Sequence, residues 1–443
     1  MKKLTEMTAA ELKLLLEQKE QEEARAIVFP DTTEKGRPRS TPVNLETLLQ
    51  HYGIRVRYNE MTKWPEIDIP GQRFHPDTAL NSAMTYIWSL VKSVDWTISK
   101  DDYYSMLNLI ATQNYYHPVR EWIDQQTWDG VDRFPDFYAT IECGRNSPVA
   151  GNQLKETLMR KWALSLVAAL YHKDFSSEGV LCLYGPQGIG KTSWAYGLVP
   201  RESGGTWIKD SVALAVTDKD SVMKATSTWI TELGELDATF KKSDLEALKS
   251  WITEKSDVIR PPYERSQNRY ARRTGFYATL NTLEFLNDDE NRRFWVLHCE
   301  GFCFPRYDLG QFWAQVRALY DAIRDSCATA EDRARTGEWG WFLSPTEREQ
   351  LRTSQEPFRT VDPVIENLQA HVVPADMMTV ARGESLTITA ILQRCGIERI
   401  TKKETGTAAK WIREQGYSAD GQRRYTVQIE SNLASVPRFK VIK

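Results

Sequence analysis

The residues Gly185, Pro186, Gln187, Gly188, Ile189, Gly190, Lys191 and Thr192 follow the spacing G-x-x-x-x-G-K-[ST] in full. Glycines in such a run let the backbone wrap until its N–H groups face one point. Lys191 brings a long-armed positive charge to that point, and Thr192 brings a hydroxyl. Converging amides, an ammonium and a hydroxyl suit a triphosphate tail with a divalent cation. The expected ligands are ATP, or another nucleoside triphosphate, and Mg2+. Lys191 would reach the β- and γ-phosphates, Thr192 would hold the metal, and Ser193 extends the run into the following helix.

Such a loop needs a carboxylate near the metal, presented at the end of a neighbouring strand. The segment 228–236 offers two, Glu232 and Glu235. Glu232 would hold the magnesium shell and Glu235 would polarise the attacking water; the roles can be exchanged, and a solvated loop is the plainer alternative. An apolar run, 274–280, ends at Asn281, an uncharged amide able to bond both γ-phosphate and water. Arg292 and Arg293 follow a cluster of acids. They are either a solvated turn or a device that cancels charge on a transferred phosphoryl group.

These residues need strands to carry them. Residues 179–184 form a short apolar run of the kind that makes a buried parallel strand. Strand-like runs recur at 206–209, 227–232, 275–280 and 293–298, with a helix read over 242–253 between the second and third. Strands alternating with helices imply α/β layers around a mostly parallel sheet. Before them, periodic segments at 79–92 and 103–113 predict helices, with a strand signal at 54–58. The reading divides the chain into an amphipathic helix and linker (1–43), a mainly helical domain (44–150), the loop-bearing α/β domain (151–343) and a small terminal domain (344–443).

The 443 residues are 41% hydrophobic and 26% charged with a net charge of −3, which describes a folded chain and not a basic coat protein. Six cysteines without CxxC spacing point to a reducing compartment. No secretion signal or membrane-length apolar run is evident, so the expectation is cytoplasmic.

Polyanion binding must therefore come from local clusters. Arg260, Arg265, Arg269, Arg272 and Arg273 share one window with Tyr263, Tyr270 and a single acid. Arginine interleaved with aromatics suits backbone tracking and base stacking along a single strand, although the same arginines could brace a subunit interface or the phosphate side. From Leu386 onward, 11 Lys or Arg face 5 Asp or Glu. Two helices and a hairpin through Arg423 and Arg424 resemble a winged helix. Its second helix, with Lys402, Lys403, Lys410 and Arg413, would enter the major groove of a duplex; protein docking is the alternative use.

In order along the chain, His117-Pro118-Val119, Trp128-Asp129-Gly130 with Arg133, the loop at 185–192, Glu232 to Leu236, Arg260 to Tyr263, Asn281, Asn291 to Phe294 and Phe312 to Gln315 resemble the virulence-associated protein E family. That resemblance implies an α/β P-loop NTPase core, AAA+-like and of superfamily 3 helicase type, with a C-terminal winged-helix-like domain. It also implies that Glu232 and Glu235 lie in the Walker B region and that Asn281 stands at the sensor 1 position. Arg292 or Arg293 would be a finger reaching a neighbour's nucleotide in a homo-oligomeric ring, a hexamer. The interval holding the five arginines would include a pore-lining hairpin. The implied function is an ATP-dependent DNA helicase or replication initiator of a phage or mobile element, with single-stranded DNA in the pore and duplex at the terminal domain. The rival is a nucleotide-gated switch or defence protein that unwinds nothing. Glu232 and Glu235 are not adjacent, as such acids are in many superfamily 3 motors, which leaves their division of labour open.

Overall fold

The computed structural model describes residues 27–94, 96–144, 153–234, 242–259, 267–281, 291–304, 306–326, 340–355, 363–373, 383–397 and 400–429. The amphipathic helix expected at the start of the segment 1–43 falls largely outside these residues. The chain divides into two units, 1–282 with 290–355 and 283–289 with 356–443.

The first unit opens with α1 (Pro42–His51), β1 (Arg55–Asn59), β2 (Trp64–Asp68), α2 (Ala79–Ser93), α3 (Lys100–Gln113) and β3 (Tyr115–Tyr116). The strands lie in the order β2-β1-β3, with β2 antiparallel and β3 parallel to β1. Leu45, Leu48, Val56, Ile87, Val91 and Leu107 close the core between sheet and helices. The helices stand where the periodicity puts them. β2 escapes a sequence reading because Pro65 and two acids interrupt it, which an edge strand tolerates. In the β1–β2 turn, Asn59 Oδ1 accepts from the amides of Met61 and Thr62 at 2.9 and 3.2 Å.

The same unit continues through α4 (Pro118–Asp124), α5 (Phe134–Ala139), β4 (Ile141–Cys143), α6 (Gln153–Tyr171), β5 (Val180–Tyr184), α7 (Lys191–Tyr196), β6 (Ile208–Val212), α8 (Lys219–Ala225), β7 (Ile230–Leu233) and α9 (Lys242–Ile252). Then come β8 (Ser256–Ile259), β9 (Asn268–Ala271), β10 (Gly275–Leu280), β11 (Phe294–Phe302), α10 (Leu309–Ser326) and α11 (Pro345–Gln355). One six-stranded sheet runs β4-β11-β5-β10-β7-β6. Five of its strands are parallel and β4 alone is antiparallel. The parallel-rich α/β layers expected from the sequence are thus present. β5 is buried over Val180–Leu183, which is why it reads as an unbroken apolar run.

Tryptophans fix helices to this sheet with their polar edges satisfied. Trp162 Nε1 donates to Phe276 O at 2.8 Å, Trp229 Nε1 to Leu166 O at 2.9 Å and Trp313 Nε1 to Leu198 O at 2.9 Å. All three are fully buried. Each indole therefore contributes its large apolar area without stranding a donor, and the last one ties α10 to the segment after α7.

The second unit comprises α12 (Pro363–His371), β12 (Glu384–Thr387), α13 (Ile388–Arg394), α14 (Lys402–Glu414) and β13 (Arg424–Val427). β12 pairs antiparallel with β13, placing Leu386 opposite Tyr425. Leu368, Ile391, Leu392, Trp411, Ile412 and Tyr425 form its core. Among the described residues, no helix is long and apolar enough to cross a membrane.

Candidate functional site

β5 lies between β10 and β11; the chain passes from it through α7 to β6 at the sheet edge, returns by β7 to β10, and then crosses β5 to reach β11. A crevice at the carboxyl ends of such strands is where open parallel sheets bind ligands. The loop 185–192 begins there. Gly185 is required by close approach, because a Cβ would meet Cys299 O at 2.3 Å. Gly188 and Gly190 are required by backbone, with φ of 85° and 99°, a region that only glycine enters freely. Gly190 is the N-cap of α7. Pro186, Gln187 and Gly188 are exposed, Ile189 and Thr192 half-buried, and Ser193 exposed.

Lys191 is 8% exposed. Its ammonium donates to Gly185 O, to Leu280 O at 3.2 Å and to Asn281 Oδ1 at 3.0 Å. Leu280 ends β10, so Asn281 stands directly past a strand end beside the loop, as the sequence reading has it. β10 and β5 run in register, with Leu280 opposite Tyr184.

Glu232 lies in β7, opposite Tyr277 of β10 and 3% exposed. Thr279 Oγ1 donates to its Oε1 at 2.5 Å, and Tyr277 OH donates to its Oε2 at 3.1 Å. Burial, followed by the nearby Glu232 carboxylate, pushes the Tyr277 hydroxyl well above its ordinary range; it stays protonated and acts as a donor. Tyr277 and Thr279 did not stand out in the sequence. Their signal is the period of two in a strand, which puts residues 277, 279 and 281 on one side of β10. Gly234 follows because a Cβ there would crowd the Ser211 backbone at 3.1 Å. Glu235 lies outside the described residues.

Arg292 and Arg293 occupy a turn just before β11, at the other end of the sheet. Phe294 pairs with Val180 and His298 with Tyr184. At a rise of about 3.3 Å per residue, Arg293 is therefore about 16 Å along the strand from the level of Tyr184, the last residue before the loop. Both arginines line a cavity of about 170 Å³ with Arg348 and Glu178; Arg348 is paired to Glu178 at 2.8 Å. The structure thus joins Lys191 to Asn281, ties Glu232 to Thr279, two residues before Asn281 on β10, and leaves these two arginines at the other end of the sheet.

The arginine window divides. Arg260 and Arg265 lie outside the described residues. β8 and β9 pair antiparallel, with Ile259 opposite Asn268, so a hairpin occupies the interval where the family resemblance implies one. Arg269 is exposed on β9. Arg272 corrects the sequence expectation of a DNA contact. It is 1% exposed, donates to both oxygens of Asp257 at 2.9 and 2.6 Å and to Trp251 O at 2.9 Å, and so has no face for a phosphate. Arg273 is half-buried and engaged with Glu60 at 2.6 Å. In the second unit, Lys402, Lys410 and Arg413 are exposed on α14, and Arg423 and Arg424 are exposed at the start of β13. Lys403 is part of α14.

The donor set fits the ligands expected of it. The loop offers open space at Gly188, where an added Cβ meets nothing within 4 Å, beside a lysine and a hydroxyl, with a buried carboxylate on the neighbouring strands.

The virulence-associated protein E-like domain matches residues 123–360, more than half of the chain. The chain is also similar to the apo structure of the NrS-1 C terminal region (305–718), at 13% identity and a TM-score of 0.43, covering 88% of this chain and 100% of that one. The A form of the same region gives 12% identity and a TM-score of 0.43 over 88% and 100%. No curated protein matches the chain.

Proposed function

This chain belongs to the virulence-associated protein E-like family, and from that premise we propose that it is an ATP-dependent DNA motor serving the replication of a phage or mobile element. The observation that carries the reading is the contact of Lys191 in the glycine loop with Asn281 past the end of β10, with the Glu232 carboxylate of β7 held by Thr279 two residues earlier on the same strand. In this reading the first unit contains a P-loop NTPase core of AAA+-like, superfamily 3 type. The loop amides and Lys191 hold the phosphates of ATP, and Asn281 orients the attacking water. Thr192 and Glu232 would hold magnesium, which would supply positive charge at the phosphate oxygens. Glu235 takes the proton from water.

The distance of Arg292 and Arg293 from their own loop favours their acting on a neighbour's nucleotide, and hence a ring, which we take as a hexamer. The β8–β9 hairpin, with Arg269 exposed and Arg260 and Arg265 in its connection, supports a strand-tracking element facing single-stranded DNA. The second unit serves as a winged-helix-like domain whose α14 meets duplex DNA.

The test is ATP turnover by the full chain with and without single-stranded DNA, beside Lys191→Ala. The expected result is turnover stimulated by DNA and abolished in the variant, with DNA binding retained. Turnover indifferent to DNA would favour a nucleotide-gated switch, and turnover surviving in Lys191→Ala would overturn the site.

A further inference from the structure

Both carboxylate oxygens of Glu232 are held from one neighbouring strand. Tyr277 and Thr279 are two residues apart on β10, and their hydroxyls reach Oε2 at 3.1 Å and Oε1 at 2.5 Å. A carboxylate accepting one hydrogen bond on each oxygen cannot turn freely, yet each oxygen keeps a further acceptor direction. Hydrogen bonds can orient a general base as well, but a carboxylate clamped on both oxygens from one strand suits above all a metal's water shell, since outer hydrogen bonds set the direction of the inner ligand. Two further groups face this region, Tyr196 of α7 and Asp210 of β6.

Building on the proposed nucleotide site, we infer that Tyr277 and Thr279 are positioning residues that fix Glu232 as the metal-side carboxylate. The braced acid then serves the cation. Thr279 has the larger effect, because its contact is shorter and its residue lies nearer the mouth of the site, two positions before Asn281.

The experiment uses the full chain and the variants Thr279→Val, Thr279→Ser and Tyr277→Phe, with Mn2+ as the metal probe. Mn2+ affinity in the presence of ADP is read by electron paramagnetic resonance, ADP affinity in EDTA by calorimetry, and kcat and KM for ATP at several Mg2+ concentrations. Hydrogen bonds to a charged group predict a loss of Mn2+ affinity of about tenfold or more in Thr279→Val, and a smaller one in Tyr277→Phe. Thr279→Ser, which keeps the hydroxyl, restores affinity to within about threefold of the unchanged protein on the same grounds. ADP affinity in EDTA stays as in the unchanged protein, and raised Mg2+ recovers kcat in Thr279→Val. Unchanged Mn2+ affinity with a kcat that extra Mg2+ does not recover would overturn the inference and make Glu232 the base. Equal failure of the serine and valine variants would also overturn it, by showing that the hydroxyl is not what matters. Indistinguishable ADP binding by the unchanged protein and Lys191→Ala would overturn the nucleotide site itself, and this inference with it.

Discussion

The ammonium of Lys191 lies 3.0 Å from Oδ1 of Asn281, bridging the ends of two adjacent parallel strands. The same ammonium holds carbonyl oxygens of Gly185 and Leu280, all of them neutral acceptors that an anionic phosphate oxygen can outcompete. Replacing the amide by a carboxylate changes that balance. Asn281→Asp is expected to hold the lysine in an ion pair and weaken ATP binding by about tenfold or more. Asn281→Ala removes one neutral acceptor and should leave ATP affinity within about threefold while turnover falls by about a hundredfold, since the water loses its orienting group. Calorimetry and steady-state turnover separate the two. An Asn281→Asp variant that binds ATP as tightly as the unchanged protein would remove the amide from the site.

The position of Arg292 and Arg293 leads to a mixing experiment. An arginine about 16 Å along a strand from its own loop cannot touch the phosphate there. Lys191→Ala and the double variant Arg292→Ala/Arg293→Ala should each be inactive. Mixed in equal amounts, they should regain turnover, because about one head-to-tail interface in four joins an intact loop to an intact arginine pair. A mixture as inactive as its components would mean that the arginines do not act across a subunit interface.

Much of the site was legible because it depends on local runs. The apolar run ending at Asn281 is β10 with the bounds Gly275–Leu280, and the glycine loop stands between β5 and α7. What the sequence hid depends on partners far along the chain. Arg269 and Arg272 look alike within one basic window, yet Arg272 turns inward to Asp257, 15 residues upstream. Tyr277 and Thr279 read as ordinary strand residues until β7 brings Glu232 alongside. β12 is four mostly polar residues whose strand character comes only from pairing with β13.

The enclosure of Arg272 separates a stability effect from a binding effect. Removing one partner of a buried pair leaves the other charge unsatisfied, so Arg272→Ala should cost about 3–5 kcal/mol of stability. The double variant Arg272→Met/Asp257→Met should recover most of that, because apolar replacements strand no charge. Arg269→Ala should leave stability within about 0.5 kcal/mol while weakening single-stranded DNA binding and lowering its salt dependence by about one unit. Denaturant unfolding and DNA titrations at several salt concentrations test both. A stable Arg272→Ala protein with impaired DNA binding would restore this arginine to the DNA surface.

Lys63 supplies a pH signature of the way the β1–β2 turn meets the larger sheet. It has φ of 65°, is buried, and donates to the carbonyl oxygen of Thr226 and to that of Met61 at 3.4 Å. Burial is the main cause that brings its pKa from 10.5 down to about 7, with Asp257 opposing and Arg273 and Arg272 adding to the depression. Between about pH 7 and 10.5 the unfolded chain keeps a proton that the native state has shed, so native stability rises with pH through that window. Below about pH 7 both states are protonated, and burial of the charge is felt in full. Lys63→Met lacks this titration. The stability of the unchanged protein relative to Lys63→Met should therefore climb from pH 7 to 9 by up to about 1.4 kcal/mol per pH unit, whatever constant offset the lost hydrogen bonds introduce. Denaturant unfolding of the two proteins at pH 6, 7, 8 and 9 measures the slope. Parallel stability profiles across that range would mean that Lys63 keeps its proton in the fold and that its contact with Thr226 is an ordinary charged one.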